Sequence, residues 1–572
     1  MQPRGYYSVA FFTAFLLHHA LSFPNCPFLG IDFPPPTKLA NSSNFQNATS
    51  SLLAAVNEAI NSGVNGSSFS VEIFSTHDPA SLFNFHYSSY TLNSSVGVKT
   101  VDSDSLYRIG SISKLFTIYL LLIEAGDVHF HEPITNFVPE LLAAPQATSD
   151  DDLDFVDWTS VTVGNLASHM SGIGRDYDEL GDILNTLPPN FDFTPYGLPA
   201  LDLSQFPACV LGQNCTNRQE FFNGFPQRRP VFAPSTTPAY SNVAFQILGY
   251  ALEKITGKSF TDMLNDDIIK PLRLNSTSYS RPENTNLGVI PGTPDSSGWN
   301  LDIGDEGPAG SLYSSTTDMV AVARSILSSQ ILRPVQTSRW MKPLAHSADP
   351  GWSFGAPWEI IRKQMSSTSR IVDLYTKNGG IGAYESELVL VPDWNIGFVL
   401  LQAGTSPAIF TAFQYIEDII FPAIETAARQ EADIAYSGHY ISTNSTLNSS
   451  ITLATDEAHP GLGVTSWISN GTDMFPVAAA LLTLQDPNPS IRLYATGLKK
   501  ELADGSSQAS WRAVVESAPD TTSNFPTCLS STGVDGVMYG TIALDDFVFT
   551  VGSDGIAKSI EPRVLRSSLN RV

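Results

Sequence analysis

At 572 residues the chain is too long for one ordinary hydrophobic core, and 42% hydrophobic with 15% charged residues excludes a disordered or fibrous type. Two globular domains are expected. Asp and Glu number 56 against 31 Lys and Arg, a formal net charge of -25, which argues against nucleic acid or an anionic membrane as partner.

In chain order, the first segment carries Arg4, an apolar run from Val9 to Leu17 and an Ala20-Leu21-Ser22 triplet suited to signal peptidase. A cleaved signal over residues 1–22 and a secreted protein are expected. No later run is long and apolar enough to suggest a membrane span. Sequons at Asn41, Asn47, Asn65, Asn93, Asn214, Asn275, Asn444, Asn448 and Asn470 are glycosylation candidates in an exported chain. The four cysteines include no C-x-x-C pair, and an even number in a secreted chain favours disulfides over metal. Of the three possible pairings, closeness selects Cys209 with Cys215 and leaves Cys26 for Cys528.

"FSVEIFS" and "LFNFHYS" read as paired strands, "VAFQILGYALEKITGKSFTDMLNDDII" as helices, and "YESELVLVPDWNIGFVLLQ" as a hairpin turning at Pro392, Asp393 and Asn395. Strands at both ends of a helical middle imply a sheet assembled from distant segments. Near residue 430 the texture changes to short alternating runs, "YSGHYIS", "SSITLAT", "SIRLYAT", "SWRAVVE", "GVMYGTIAL" and "DFVFTVG". The expected division is therefore 23–428 for the first domain and 429–572 for a small β sandwich or barrel.

The chemistry concentrates in three short motifs, each present once. In "GSISK", Ser111 and Lys114 stand three apart at a helix start, so their side chains are neighbours. The helix continues as "LFTIYLLLI", apolar all round and therefore buried. An ammonium desolvated there loses pKa and, once neutral, accepts the serine proton. "YSN" supplies Tyr240, a phenol able to shuttle protons near lysines, and Asn242, an amide able to orient Lys114 and substrate. "KNG" supplies Lys377, Asn378 and Gly379 on a strand beside the serine, followed by Gly380, whose amide can point at a developing oxyanion. Singly these are an N-cap serine, a core aromatic and a strand turn; together and in order they describe a serine acyl-transfer site.

With these motifs, residues 65 to 425 resemble the serine β-lactamase and penicillin-binding-protein superfamily, specifically its class C β-lactamase and esterase branch. "VTVGNLASHMSGI", "PSTTPAYSNVAFQILGYALEKITGKSF" and "GPAGSLYSSTTDM" extend the resemblance between the motifs. It implies an α+β fold: an antiparallel sheet with packed helices plus an all-helical part, with the site between them. It further implies Ser111 as nucleophile, Lys114 and Tyr240 as proton carriers, Asn242 and Lys377 as supporting groups, and the Ser111 and Gly380 amides as oxyanion hole. Whether Lys114 or Tyr240 is the base stays open. The trailing β domain resembles additions in exported fungal members.

No G-x-S-x-G or H-E-x-x-H occurs, which counts against an α/β-hydrolase or a zinc peptidase. His129 and His131 lack the residues that complete a metallo-hydrolase cluster, His169 is expected to be structural, and neither metal nor cofactor is implied. At Asn378, β-lactam-hydrolysing relatives usually carry a hydroxyl that helps hold a substrate carboxylate. The expected activity is therefore an esterase or amidase acting on a small acyl compound. Alternatives are an acyltransferase using the same acyl-enzyme, a true β-lactamase, and a non-catalytic binding protein, the last opposed by intact Ser111, Lys114, Tyr240 and Lys377. The partner is a small molecule, and nothing in the sequence sets the oligomeric state.

Overall fold

The computed structural model describes residues 27–144, 151–177, 192–200, 218–444, 446–517 and 530–572. The 1–22 segment, Cys26, Cys209, Cys215, Cys528 and Asn214 lie outside the described residues. The chain divides into two compact units, one formed by residues 45–363 with 373–421, the other by the described parts of 1–44, 364–372 and 422–572.

In the first unit, helix α1 (Ser43–Asn61, entering from the other unit) leads into strands β1 (Ser67–Ser75) and β2 (Phe83–Tyr87), which pair antiparallel as their alternation predicts. Helices α2 (Ser113–Glu124), α3 (Val243–Thr256) and α4 (Thr316–Leu327) follow. The chain then returns as β3 (Ala345–His346), β4 (Trp352–Phe354), β5 (Glu359–Gln364), β6 (Ile371–Ile381), β7 (Tyr384–Val391) and β8 (Ile396–Gly404). The eight strands form one sheet in the order β2-β1-β8-β7-β6-β5-β4-β3, so the first strands pair with the last across more than 300 residues of sequence. Pro392–Trp394 and Asn395, which adopts a left-handed φ of 52°, make the β7–β8 turn where the sequence places it.

Every residue of α2 from Ser113 to Leu122 is buried, which matches its apolar circumference. Burying Thr117 and Lys114 there is possible because both find partners: the Thr117 hydroxyl donates to the Pro308 carbonyl at 2.7 Å, and Lys114 Nζ has three hydrogen-bond partners. The neighbouring α3 is buried from Val243 to Leu252 and closes at Gly257, whose φ of 71° ends the helix.

In the second unit, α5 (Phe421–Tyr436) leads into β9 (Gly438–Ser442), β10 (Ser450–Ala454), β11 (Leu462–Ser469), β12 (Ser490–Glu501), β13 (Ser507–Glu516), β14 (Asp546–Val551), β15 (Ala557–Pro562) and β16 (Leu569–Arg571). Neighbours run β10-β9-β16-β15-β14-β13-β12-β11, and β11 pairs back onto β10. Of the two expected forms the structure is thus the barrel. Its core holds Trp467, Trp511, Phe547 and Phe549 together with Phe33 from the early chain and Ala428 and Ala432 from α5. "GVMYGTIAL" is not one strand but two short ones, Met538–Tyr539 and Ile542–Ala543, folded back at Gly540 with a φ of 72°. No described helix is long and apolar enough to cross a membrane.

Candidate active site

Ser111 lies in a 3-10 turn, Gly110–Ile112, immediately before α2 and not within its first α-helical turn. The turn is possible because Gly110 takes a φ of 48° and because a Cβ there would stand 2.8 Å from the Gly380 amide nitrogen. A Cβ at Gly379 would meet the Ile109 carbonyl at 2.1 Å and the Ser111 amide nitrogen at 2.8 Å. Two glycines therefore let β6 slide its backbone against the serine turn. Ser386, facing Gly379 across the β6–β7 register, clips the approach by donating its hydroxyl to the Ile109 carbonyl at 2.8 Å.

Two side chains converge on Ser111 Oγ. Lys114 Nζ lies 2.9 Å away and Tyr240 Oη 2.7 Å away, while Lys114 Nζ also reaches Asn242 Oδ1 at 2.6 Å and the Ala309 carbonyl at 2.8 Å. Asn242 is held in turn, donating from Nδ2 to Asp176 Oδ1 at 2.5 Å. A carboxylate can only accept, so Asp176 fixes the amide with its oxygen toward Lys114. A neutral lysine has two N–H bonds and one lone pair. The two N–H bonds match Asn242 and Ala309, which can only accept, and leave the lone pair for the Ser111 hydroxyl.

The electrostatics run the same way. Complete burial, with the charge of Lys377 adding to it, pulls the Lys114 ammonium below the ordinary lysine value. Burial alone would raise the Tyr240 phenol, but Lys114 and Lys377 outweigh it and bring it below its usual range. Lys114 Nζ, Lys377 Nζ and Arg175 Cζ stand 4.9, 5.3 and 4.8 Å from the Tyr240 ring centre. Lys377 behaves differently: burial lowers it, yet Glu359, with Tyr240 and Glu387 adding to it, outweighs burial and raises it, so it stays charged. Its Nζ donates to Glu359 Oε1 at 2.7 Å and to the Asn378 carbonyl at 2.9 Å, and Glu359 Oε2 accepts from the Asn378 amide at 3.2 Å.

The candidate residues thus meet: Ser111, Lys114, Tyr240 and Asn242 in one hydrogen-bonded group, with Lys377, Gly379 and Gly380 on the adjacent strand. Ser111, Asn242 and Gly380 line a cavity of about 410 Å³ together with Leu301, Ile303, Ala309 and Glu385. Asn378 is exposed, with Oδ1 3.5 Å from Lys377 Nζ, and is not among the lining residues. Glu359, Asp176 and the Ala309 carbonyl carry no motif and were invisible in the sequence. His169 stacks on the Tyr240 ring with centres 4.4 Å apart, and its Nδ1 accepts from the Ser241 amide at 3.2 Å. His129 pairs with Glu132 at 2.7 Å and packs edge-on against Phe137. Asn41, Asn47, Asn275, Asn444, Asn448 and Asn470 are exposed, while Asn65 and Asn93 are half-buried.

The sheet with packed helices and its serine-lysine-tyrosine cluster define a β-lactamase/transpeptidase-like protein. The chain belongs to the beta-lactamase family, whose model matches residues 85–415, and a "Beta-lactamase-like-like, C-terminal domain" model matches residues 428–572. It is 30% identical over 589 residues to the "Beta-lactamase-like protein" of Arthroderma benhamiae, covering 96% of each chain. It is 26% identical to "Probable hydrolase M10" of Phoma sp., covering 78% of this chain and 74% of the relative. A crystal structure of a class C beta-lactamase mutant aligns with a TM-score of 0.48 at 14% identity, over 66% of this chain and 99% of that one. The family is one of hydrolases.

Proposed function

We propose that the protein is an exported serine hydrolase that forms an acyl-enzyme on Ser111 and cleaves an ester or amide of a small molecule. The observation that carries this reading is the Ser111 hydroxyl held at once by Lys114 Nζ at 2.9 Å and Tyr240 Oη at 2.7 Å, beside the Gly380 amide. Ser111 Oγ attacks the carbonyl while its proton passes to the Lys114–Tyr240 pair, and the oxyanion accepts from the Ser111 and Gly380 amides. Tyr240 returns a proton to the leaving oxygen or nitrogen as that bond breaks. Water then attacks the acyl carbonyl and gives a proton to the pair, which returns it to Ser111 Oγ as the acyl–Oγ bond breaks and the acid leaves. Asn242 and Asp176 keep Lys114 aimed, and Lys377 with Glu359 holds positive charge near the phenol.

The test is intact-protein mass spectrometry after exposure to a broad serine-reactive probe, together with turnover of p-nitrophenyl esters. One adduct per chain is expected, lost in Ser111→Ala; labelling undiminished in that variant would remove the mechanism. Export rests on the 1–22 segment and accords with six exposed sequons. The Cys26–Cys528 pairing is supported by Ser530 Oγ donating to the Pro27 carbonyl at 3.3 Å, which brings near neighbours of both cysteines together. Non-reducing peptide mapping that joins Cys26 to Cys209 or Cys215 would refute it.

A further inference from the structure

Among the described residues lining the cavity, Glu385 is the one acid and none is a lysine or arginine. It stands on β7 directly opposite Gly380 in the register. Its carboxyl occupies the space that a side chain at 380 would take: a Cβ built there would lie 3.0 Å from Oε2 and 3.2 Å from Oε1. The rest of the wall combines apolar Leu301, Ile303, Ala309 and Ile381 with glycine backbone and the uncharged polar Ser111 and Asn242. Among the described residues no cation reaches Glu385 within ion-pair distance, in contrast to Glu359, which is neutralised by Lys377. A half-buried carboxyl without a counter-charge has lost part of its hydration and gained no ion pair in return. A substrate bringing its own cation would relieve it and be bound preferentially.

We infer that Glu385 selects substrates carrying an ammonium or similar cationic group on the acyl part, and rejects anionic ones. The inference rests on the serine hydrolase function proposed above and gives that site its substrate class. Burial holds the free carboxyl above its ordinary value, and a cation placed beside it would favour the charged form. The same carboxyl lies beside Gly380, so a substrate carboxylate placed there would meet a like charge close to the forming oxyanion.

Two esters that differ only by ammonium for methyl, p-nitrophenyl 6-aminohexanoate and p-nitrophenyl heptanoate, test this on the full chain. The amino ester should lead by at least tenfold in kcat/KM for the wild type. Glu385→Gln should bring the ratio below threefold, and Glu385→Asp should retain most of it. A second readout needs no turnover: 4-(aminomethyl)phenylboronic acid and 4-methylphenylboronic acid form tetrahedral adducts on a reactive serine, and their Kd values should show the same split. Equal values for both members of each pair, or a wild-type ratio unchanged in Glu385→Gln, would overturn the assignment of Glu385 while leaving Ser111 as nucleophile. Binding of neither boronic acid, with no turnover of either ester, would overturn both.

Discussion

At Ser111 the question is when the hydroxyl can be deprotonated. Protonated Lys114 has no lone pair to offer, so the site is inactive at low pH and gains activity as the Lys114–Tyr240 pair loses a proton. Burial, reinforced by Lys377, lowers Lys114, and the two lysines lower Tyr240 against the effect of burial. The kcat/KM for p-nitrophenyl acetate should therefore rise with pH along a limb that belongs to the pair, below the ordinary value of either group. Removing a nearby positive charge raises both groups, so Lys377→Met should move the limb to higher pH. A limb that stays in place would show that Lys377 does not act on the pair electrostatically. Replacing Lys114 or Tyr240 should each lower turnover by roughly a hundredfold or more, the scale of positioned acid-base catalysis. Asn378→Thr should bring penicillin turnover closer to ester turnover; an unaltered ratio would fit the exposed placement of Asn378 and leave selection to Glu385.

The residues legible in the sequence were those whose spacing is itself the geometry. Ser111 and Lys114 are one helical step apart, and Lys377 to Gly380 follow a single strand. Asp176 and Glu359 escaped because each reaches its partner only through the tertiary fold: 66 residues separate Asp176 from Asn242, and 18 separate Glu359 from Lys377. Either could have been an ordinary solvated acid. Glu385 was visible only as one position in a strand, since nothing in "YESELVLV" says which face meets a cavity.

Among the elements, β5 and β6 are joined beside the site by the buried Lys377–Glu359 pair as well as by the sheet. Breaking such a pair from one side leaves an uncompensated buried charge, so Glu359→Gln should cost about 3 to 5 kcal/mol in urea unfolding. A loss under about 1 kcal/mol would mean that Glu387, on the neighbouring β7 opposite Asn378, takes over as counter-ion. Gly379→Ala should be worse for activity than for folding, because the new methyl group would force β6 away from the Ile109 carbonyl and the serine turn. The barrel strands show where periodicity stops being a guide. In β11 the pairing slips at Thr465, so that Val464 and Trp467 both turn inward three residues apart, not two or four. That bulge hid the strand, and without β11, β15 and the three-residue β16, none of which the alternating runs included, the closure onto β10 could not be read from sequence.

At the level of the whole molecule, texture announced two domains, but contact connectivity divides the chain less simply. Phe33 is 2% exposed in the barrel unit's core, and the Arg370 guanidinium, in the same unit, lies 3.5 Å from Asp32 and 3.7 Å from Glu425. No local pattern marks an early aromatic as belonging to a core built hundreds of residues later. Phe33→Ala should destabilise this unit by about 3 to 5 kcal/mol, as large core aromatics do. Chemical denaturation of the full chain checks it, and a change under about 1 kcal/mol would mean that Phe33 is not a core residue.

Phe33 also sets a schedule for biosynthesis. It belongs to one core cluster with Trp511, Phe549 and Leu569, the last roughly 540 residues downstream, and β16 closes the barrel between β9 and β15. At translation speeds of about 5 to 20 residues per second, the segment around Phe33 waits roughly half a minute to two minutes for the strands that shelter it. During that interval an apolar stretch is on offer to chaperones and proteases. Ribosome-arrested chains ending near residue 560 should therefore be cut within residues 27–44 under conditions that spare the released protein.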